Sequence, residues 1–272
     1  MTIGGSTRFA AVLGHPVAHS RSPAMMNAAF AAAGLDAVFL ALDVAPADLA
    51  ACVGGLRAMG ALGASVTVPH KQAVAASCDQ LAPAAIAIGA VNCLQLAAGR
   101  VIGHNTDSAG FTDALAAAGF DARGARCVLL GGGGAARAVA HGLEASGAAL
   151  LTVVARSACT WRASVPWSAA TLAAAFATAD LVVDCTSVAL DPAAEPAMLA
   201  ALPLAALPAA AWVGSLVYHR PPLLLTRAAA AGHRTFDGAE MLVGQGAHAF
   251  RLWTGVDAPI DAMRTALRAS LL

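Results

Sequence analysis

Residues 126–137 read Arg126-Cys127-Val128-Leu129-Leu130-Gly131-Gly132-Gly133-Gly134-Ala135-Ala136-Arg137. Positions 127–130 are a short apolar run of strand type, four glycines follow at once, and 135–143 has the composition of a helix. The spacing Gly131-x-Gly133-x-x-Ala136 is the dinucleotide fingerprint. One glycine makes the tight turn, a second lets the backbone approach a pyrophosphate, and a small third residue lets helix and strand pack closely. The helix start behind it offers free N–H groups and a positive dipole end to phosphates. Alone, the pattern also fits an ordinary turn between strand and helix, so the rest of the chain must decide.

Downstream, a strand over 150–155 ends at Arg156-Ser157. A cofactor with a free ribose 2′-hydroxyl usually meets an Asp or Glu at this strand end. No acid stands here, and Arg156 in that place points to a 2′-phosphate, hence NADP. Residues 180–185 form another buried parallel strand, reached through a helix over 168–178. A strand at 163–166 would leave only 157–162 for a parallel crossover, and Pro166 is unsuited to a central strand. The usual strand 3, an edge strand in this fold, is therefore missing or vestigial. Strands over 211–218 and 234–236 and helices over 222–231, 240–254 and 259–270 complete this half.

Toward the N-terminus, a strand over 9–13 precedes Ser20-Arg21-Ser22-Pro23. Ser22 reads as the N-cap and Pro23 as the first residue of a helix that runs to Gly34. Either the serines only cap, or Ser20, Ser22 and the free amides together hold a carboxylate. A strand over 37–42, a helix over 46–59 and a strand over 63–68 follow. Pro69 reads as a helix start with Lys71 in its first turn, where the dipole disfavours an ammonium. Lys71 is then either an acid/base group or a solvated surface lysine. Segments 88–96, carrying Asn92, and 101–105 pair around Ala98-Gly99-Arg100. Asp107 opens a helix over 108–118, as its N-cap or in a further role.

Acidic and basic residues balance at 16 each, which offers no electrostatic footprint for nucleic acid. The six cysteines are scattered without a Cys-x-x-Cys pair and read as reduced, mostly buried thiols. The uncharged span 196–218 is interrupted by Pro203 and Pro208, which argues against a membrane helix. His15 and His19 flank Pro16 in a loop and make a poor metal pair, so no metal is expected. The expectation is a soluble, cytoplasmic α/β protein acting on a small molecule, as monomer or homodimer.

Taken together, Ser20-Arg21-Ser22-Pro23, Val66-Thr67-Val68-Pro69-His70-Lys71, Gly89-Ala90-Val91-Asn92, Asn105-Thr106-Asp107, Gly131–Ala138, Val217-Tyr218 and Met241-Leu242-Val243-Gly244-Gln245-Gly246 resemble shikimate dehydrogenase. These islands fall in the family's order over essentially the whole chain. The resemblance implies two domains: an α/β substrate domain, 1–106 plus 239–272, and a Rossmann-like NADP-binding domain, 107–238. It implies interconversion of shikimate and 3-dehydroshikimate with NADP, shikimate being favoured over quinate by Ser22. By position, Lys71 and Asp107 would be catalytic. Ser20 and Ser22 would hold the carboxylate, and Ser65, Thr67, Asn92, Tyr218 and Gln245 would line the substrate. Gly131, Gly132, Gly133, Gly134, Ala135, Ala136, Arg156, Ser157, Thr186 and Gly238 would take the cofactor.

The chain departs from the family pattern in four places. Ser65 stands for an Asn of the substrate network. Asp184-Cys185-Thr186-Ser187-Val188-Ala189-Leu190 stands for an Asn-Ala-Thr loop ending in Gly-Met, and Ser215 stands for an Asp before Tyr218. Ala155-Arg156-Ser157 stands for an Asn-Arg-Thr clamp whose second basic residue is displaced to Arg162. These departures leave two alternatives: a quinate/shikimate paralogue with NAD or altered substrate, and a catalytically silent binder of the same fold.

Overall fold

The computed structural model describes residues 3–188 and 191–271. Ala189 and Leu190, where the loop loses its glycine, lie outside the described residues. The chain divides into two compact units: 1–110 with 243–272, and 111–242.

In chain order, the first unit opens with β1 (Arg8–Gly14), α1 (Ser22–Ala32), β2 (Ala37–Asp43), α2 (Leu49–Ala58) and β3 (Gly63–Val66). β4 (Gln80–Leu81), α3 (Pro83–Ile88), β5 (Cys93–Ala97) and β6 (Arg100–His104) follow, and α4 (Asp107–Ala117) begins in this unit and continues into the second. The strands form one mixed sheet in the order β2-β1-β3-β5-β6-β4. Parallel β1, β2 and β3 are joined through helices, while β5 and β6 form the expected antiparallel hairpin. Alternation along β1 divides its neighbours. Ala11 and Leu13 join a core with Val53, Leu56 and Leu94, while successive side chains point to the opposite face.

Three local readings need correction. Ser22 is the first residue of α1, not its cap. Arg21 is the N-cap and makes no side-chain cap bond, since a guanidinium has no acceptor, and Ser20 Oγ accepts from the Ser22 N–H at 3.3 Å. Residues 68–72 form turns ahead of a 3-10 helix, Ala73–Ser77, so Lys71 does not begin an α-helix and gains no dipole support there. Asp107 caps nothing with its carboxylate. Asn105 Oδ1 accepts from the Asp107 and Ser108 N–H groups at 3.1 and 3.4 Å instead. At both Ser22 and Asp107 a side chain two residues earlier meets the residue's own amide. Residue 88, read as strand, ends helix α3, which stops at Gly89 in a left-handed conformation (φ 67°).

The second unit contains β7 (Arg126–Leu130), α5 (Gly134–Ala145), β8 (Leu150–Ala155), β9 (Val165–Pro166), α6 (Ala169–Phe176) and β10 (Leu181–Asp184). α7 (Glu195–Ala200), β11 (Trp212–Ser215), α8 (Leu223–Ala230) and β12 (Arg234–Phe236) follow. The sheet is parallel, in the order β12-β11-β10-β7-β8-β9. Val128, Leu130 and Val182 face a core with Leu172 and Phe176 of α6. Cys127, Leu129 and Val183 face another with Phe111, Val139 and Leu143. A sheet covered on both faces requires such near-continuous apolar strands. Strand 3 is vestigial rather than missing: β9 pairs two residues with β8, Val165 with Val154 and Pro166 with Ala155. Pro166 is tolerated because the strand lies at the sheet edge.

Helix α9 (Gly238–Thr254) and α10 (Ile260–Ser270) end the chain. α9 returns to the first unit, where Phe250 packs on Phe30, ring centroids 5.5 Å apart. Trp253 Nε1 donates to the Leu94 carbonyl at 2.9 Å. That indole fills the space where a Cβ on Gly63 would be, so β3 needs a glycine there. The 196–218 span resolves into part of α7, a 3-10 turn and β11, and no described helix is long and apolar enough to cross a membrane.

Candidate active site

The polar centre of the first unit is built from chain segments far apart in sequence. Lys71 reaches it from the turn after β3, Asn92 from the residue before β5, Asp107 from the first turn of α4, and Gln245 from α9. Lys71 Nζ donates to Asp107 Oδ2 at 2.6 Å, the lysine side chain 28% exposed and the aspartate 11%. Asn92 Nδ2 donates to Asp107 Oδ1 at 2.7 Å and to Thr106 Oγ1 at 3.0 Å, and lies 3.5 Å from Gln245 Oε1. Asn92 Oδ1 accepts from the Thr106 N–H at 2.6 Å. Both carboxylate oxygens of Asp107 are thus engaged, one by a cation that water still reaches.

The backbone locks this arrangement. The Val91 N–H donates to the Lys71 carbonyl at 2.7 Å and the Asn92 N–H to the His104 carbonyl at 3.0 Å. Asn105 Nδ2 donates to the Ala90 carbonyl at 3.0 Å. At Gly110, a Cβ would overlap the backbone N of Gln245, so a glycine there permits the close approach of Gln245. Ser20 and Ser22 lie together at the start of α1, and Ser65 is buried on β3 beside Cys93. Thr67 is tied by its N–H to the Leu13 carbonyl at 2.9 Å. None of these four hydrogen-bonds to the Lys71–Asp107 group. The motif Asn105-Thr106-Asp107 does not by itself show the structural parts played by Asn105 and Thr106, because nothing in it says which neighbours they bind.

In the second unit the glycine loop has the form a dinucleotide needs. Gly131 holds φ 98°, and Ala136 is fully buried against the sheet. Gly133 is the N-cap of α5 with no side-chain cap bond, and a Cβ on Gly133 or Gly134 would meet no atom within 4 Å. The first amides of α5 therefore stay available beside open space, which fits a pyrophosphate. Thr186 borders the loop, its Cγ2 3.1 Å from where a Gly131 Cβ would be. Arg156 and Ser157 are exposed at the end of β8, and Arg156 has no carboxylate partner among the described residues. Arg162 is an ion-pair partner of Glu144. Tyr218 stacks on His219, ring centroids 4.1 Å apart, and Gly238 starts α9 where a Cβ would overlap the Leu216 carbonyl. Among the described residues no group of three or more His, Cys, Asp or Glu could hold a metal ion.

Two of the sequence departures prove to be neighbours. Asp184 and Ser215 are register partners on β10 and β11, so a carboxylate stands one strand away from its family position. Asp184 is fully buried, and its Oδ1 accepts from the Thr186 N–H at 2.9 Å, but Oδ2 has no hydrogen-bond partner. Burial pushes its pKa above the usual 3.8, against the lowering effect of the Thr186 hydrogen bonds, and the nearby Glu195 adds to the rise. The folded protein thus holds this proton more tightly than the unfolded chain does. Stability is lost as pH rises from about 4 through the raised value, and the penalty persists above it. Asp184→Asn, which keeps an acceptor for Thr186, is expected to melt at a higher temperature than wild type at pH 7, with the gap closing toward pH 4. An equal or lower melting temperature at pH 7 would show that the carboxyl is not a stability cost.

Comparison with known proteins decides the family. A model of the shikimate dehydrogenase substrate binding domain matches residues 12–94, and one of the shikimate 5'-dehydrogenase C-terminal domain matches 238–268. The chain is 45% identical over 292 aligned positions to the shikimate dehydrogenase (NADP(+)) of Symbiobacterium thermophilum, covering 99% of this chain and 97% of that one. The chain belongs to the shikimate dehydrogenase family. Its fold is that of solved shikimate dehydrogenases. The Listeria monocytogenes enzyme, in complex with shikimate and NAD, superposes with a TM-score of 0.90 at 30% identity over 98% of both chains. The Thermus thermophilus enzyme, in complex with NADP(H) and shikimate, gives 0.85 at 36% identity over 97% of this chain and 100% of that one.

Proposed function

We propose that this protein is an NADP-dependent shikimate dehydrogenase that interconverts shikimate and 3-dehydroshikimate, with residues 1–106 and 239–272 taking the substrate and 107–238 the cofactor. The observation that carries this reading is the Lys71–Asp107 pair with Asn92 seated on it. Bound NADP would supply the hydride acceptor, held by the amides of the glycine loop and by Arg156. In its uncharged amine form Lys71 takes the hydroxyl proton at Nζ when the carbinol is oxidised, becoming the ammonium that Asp107 holds, and as the ammonium it gives the proton back in reduction. Asp107 holds Lys71 in place and, with Asn92 and Gln245, orients ring hydroxyls. Ser20 and Ser22, with the first amides of α1, take the carboxylate.

A silent binder would have no use for an ammonium held 2.6 Å from a carboxylate while still open to solvent, so the catalytic reading is preferred. The test is a spectrophotometric assay of shikimate and quinate, each with NADP and with NAD. Turnover greatest with shikimate and NADP is expected. No turnover in any combination, from protein that still binds shikimate, would establish the silent reading, and a quinate preference the paralogue. All six cysteines are unpaired, and burial pushes the Cys78 and Cys127 thiols up to about 11 and 12. Such inert thiols are suited to a reducing cytoplasm.

Cofactor choice has its own test. Arg156→Ala is expected to raise the Michaelis constant for NADP by about 10–100-fold, the worth of a hydrogen-bonded charge at about 1.5–3 kcal/mol. The constant for NAD should barely change. An equal rise with both cofactors would show that Arg156 does not read the 2′-phosphate.

A further inference from the structure

The segment between β8 and β9 folds back onto the glycine loop. Trp161 Nε1 donates to the Gly132 carbonyl at 2.9 Å. Cys159 Sγ sits so close to Gly132 that a Cβ there would overlap it, and the Cys159 N–H is held by Ser164 Oγ at 3.0 Å. On the other side, Arg137 from the first turn of α5 lays its guanidinium over the Trp161 ring, 5.9 Å from the centroid. That distance is within the range of a cation–π contact. Arg137 has no carboxylate partner among the described residues, whereas Arg126, Arg162 and Arg220 are each engaged by one.

A second guanidinium is therefore held beside the loop where the cofactor's adenosine end is bound in this fold. We propose that Arg137, positioned by Trp161, is the second cation for the cofactor's 2′-phosphate, standing in for Arg162, which Glu144 has taken. This rests on the NADP reading above. Arg137 and Arg156 flank the loop from its two sides in sequence, one on the helix after the glycines and one at the end of the next strand. Two unpaired guanidiniums there suit a dianion, which each binds through charge-assisted hydrogen bonds. Trp161 is a positioning residue: its N–H holds the glycine loop and its ring holds Arg137.

The test is calorimetric binding of adenosine 2′,5′-bisphosphate and of adenosine 5′-monophosphate, which needs no turnover. Wild type is expected to prefer the bisphosphate. Arg137→Gln should weaken the bisphosphate by about 10-fold or more and leave the monophosphate within about twofold. Trp161→Leu should lose part of the same preference, and Trp161→Phe, which keeps a ring under the guanidinium, should restore it. Full wild-type preference in Arg137→Gln would overturn the proposal while leaving the NADP reading intact. Wild-type protein that binds both nucleotides equally would overturn both. Unchanged preference in Trp161→Leu would remove Trp161 from the device.

Discussion

Turnover of Lys71→Ala is expected to fall by about 10²–10⁴-fold, the usual worth of a positioned acid/base group, while the folded protein keeps its affinity for NADP. When hydride leaves the carbinol carbon, the hydroxyl proton must leave as well, and Lys71 Nζ, beside Asp107 at the polar centre of the first unit, is the group proposed to take it. Its position in a turn, rather than at the start of an α-helix, removes the dipole as a source of its competence. What remains is Asp107, whose Oδ2 accepts from Lys71 Nζ at 2.6 Å and holds it in place. Steady-state turnover with saturating shikimate, together with calorimetric NADP binding, measures this. Near-normal turnover would assign the proton transfer to a water or to another side chain.

Asp107→Ala is expected to have the second-largest effect, about 10²-fold or more on turnover, and unlike Lys71→Ala it should also raise the Michaelis constant for shikimate, by about 10-fold. The variant leaves Lys71 without its anion and Asn92 without its acceptor at 2.7 Å. Asn92 keeps Thr106 Oγ1 as acceptor, so the site loosens rather than collapses, and a melting curve near that of wild type is expected. A fall in turnover with an unchanged Michaelis constant would show that Asp107 holds Lys71 but touches no substrate hydroxyl.

Much of this could be read locally. The glycine spacing at 131–136 marks a turn that needs positive φ and small residues, and both requirements belong to a few adjacent positions. The strand expected over 150–155 has those bounds, because an apolar run between turn residues signals its own ends. Where the expectation of a cap fails, a polar side chain two residues earlier has taken over the local role. Asn105 displaced Asp107 as the polar group at the start of α4, and Ser20 met the Ser22 amide.

By itself, then, the sequence determined most of the strands and helices, the doubly wound second unit with its reduced edge strand, and the family, and it singled out Lys71 and Asp107 as the candidate acid/base pair. These follow from periodicity, turn chemistry and motif order, which are carried by neighbours along the chain. The tertiary structure alone decided who touches whom. It brought Gln245 to Asn92 across 153 residues, made Asp184 and Ser215 register partners, turned Arg162 to Glu144 and laid Arg137 over Trp161. Such contacts are set by the packing of whole elements, and a side chain's final partner depends on which competing groups that packing brings within hydrogen-bond reach.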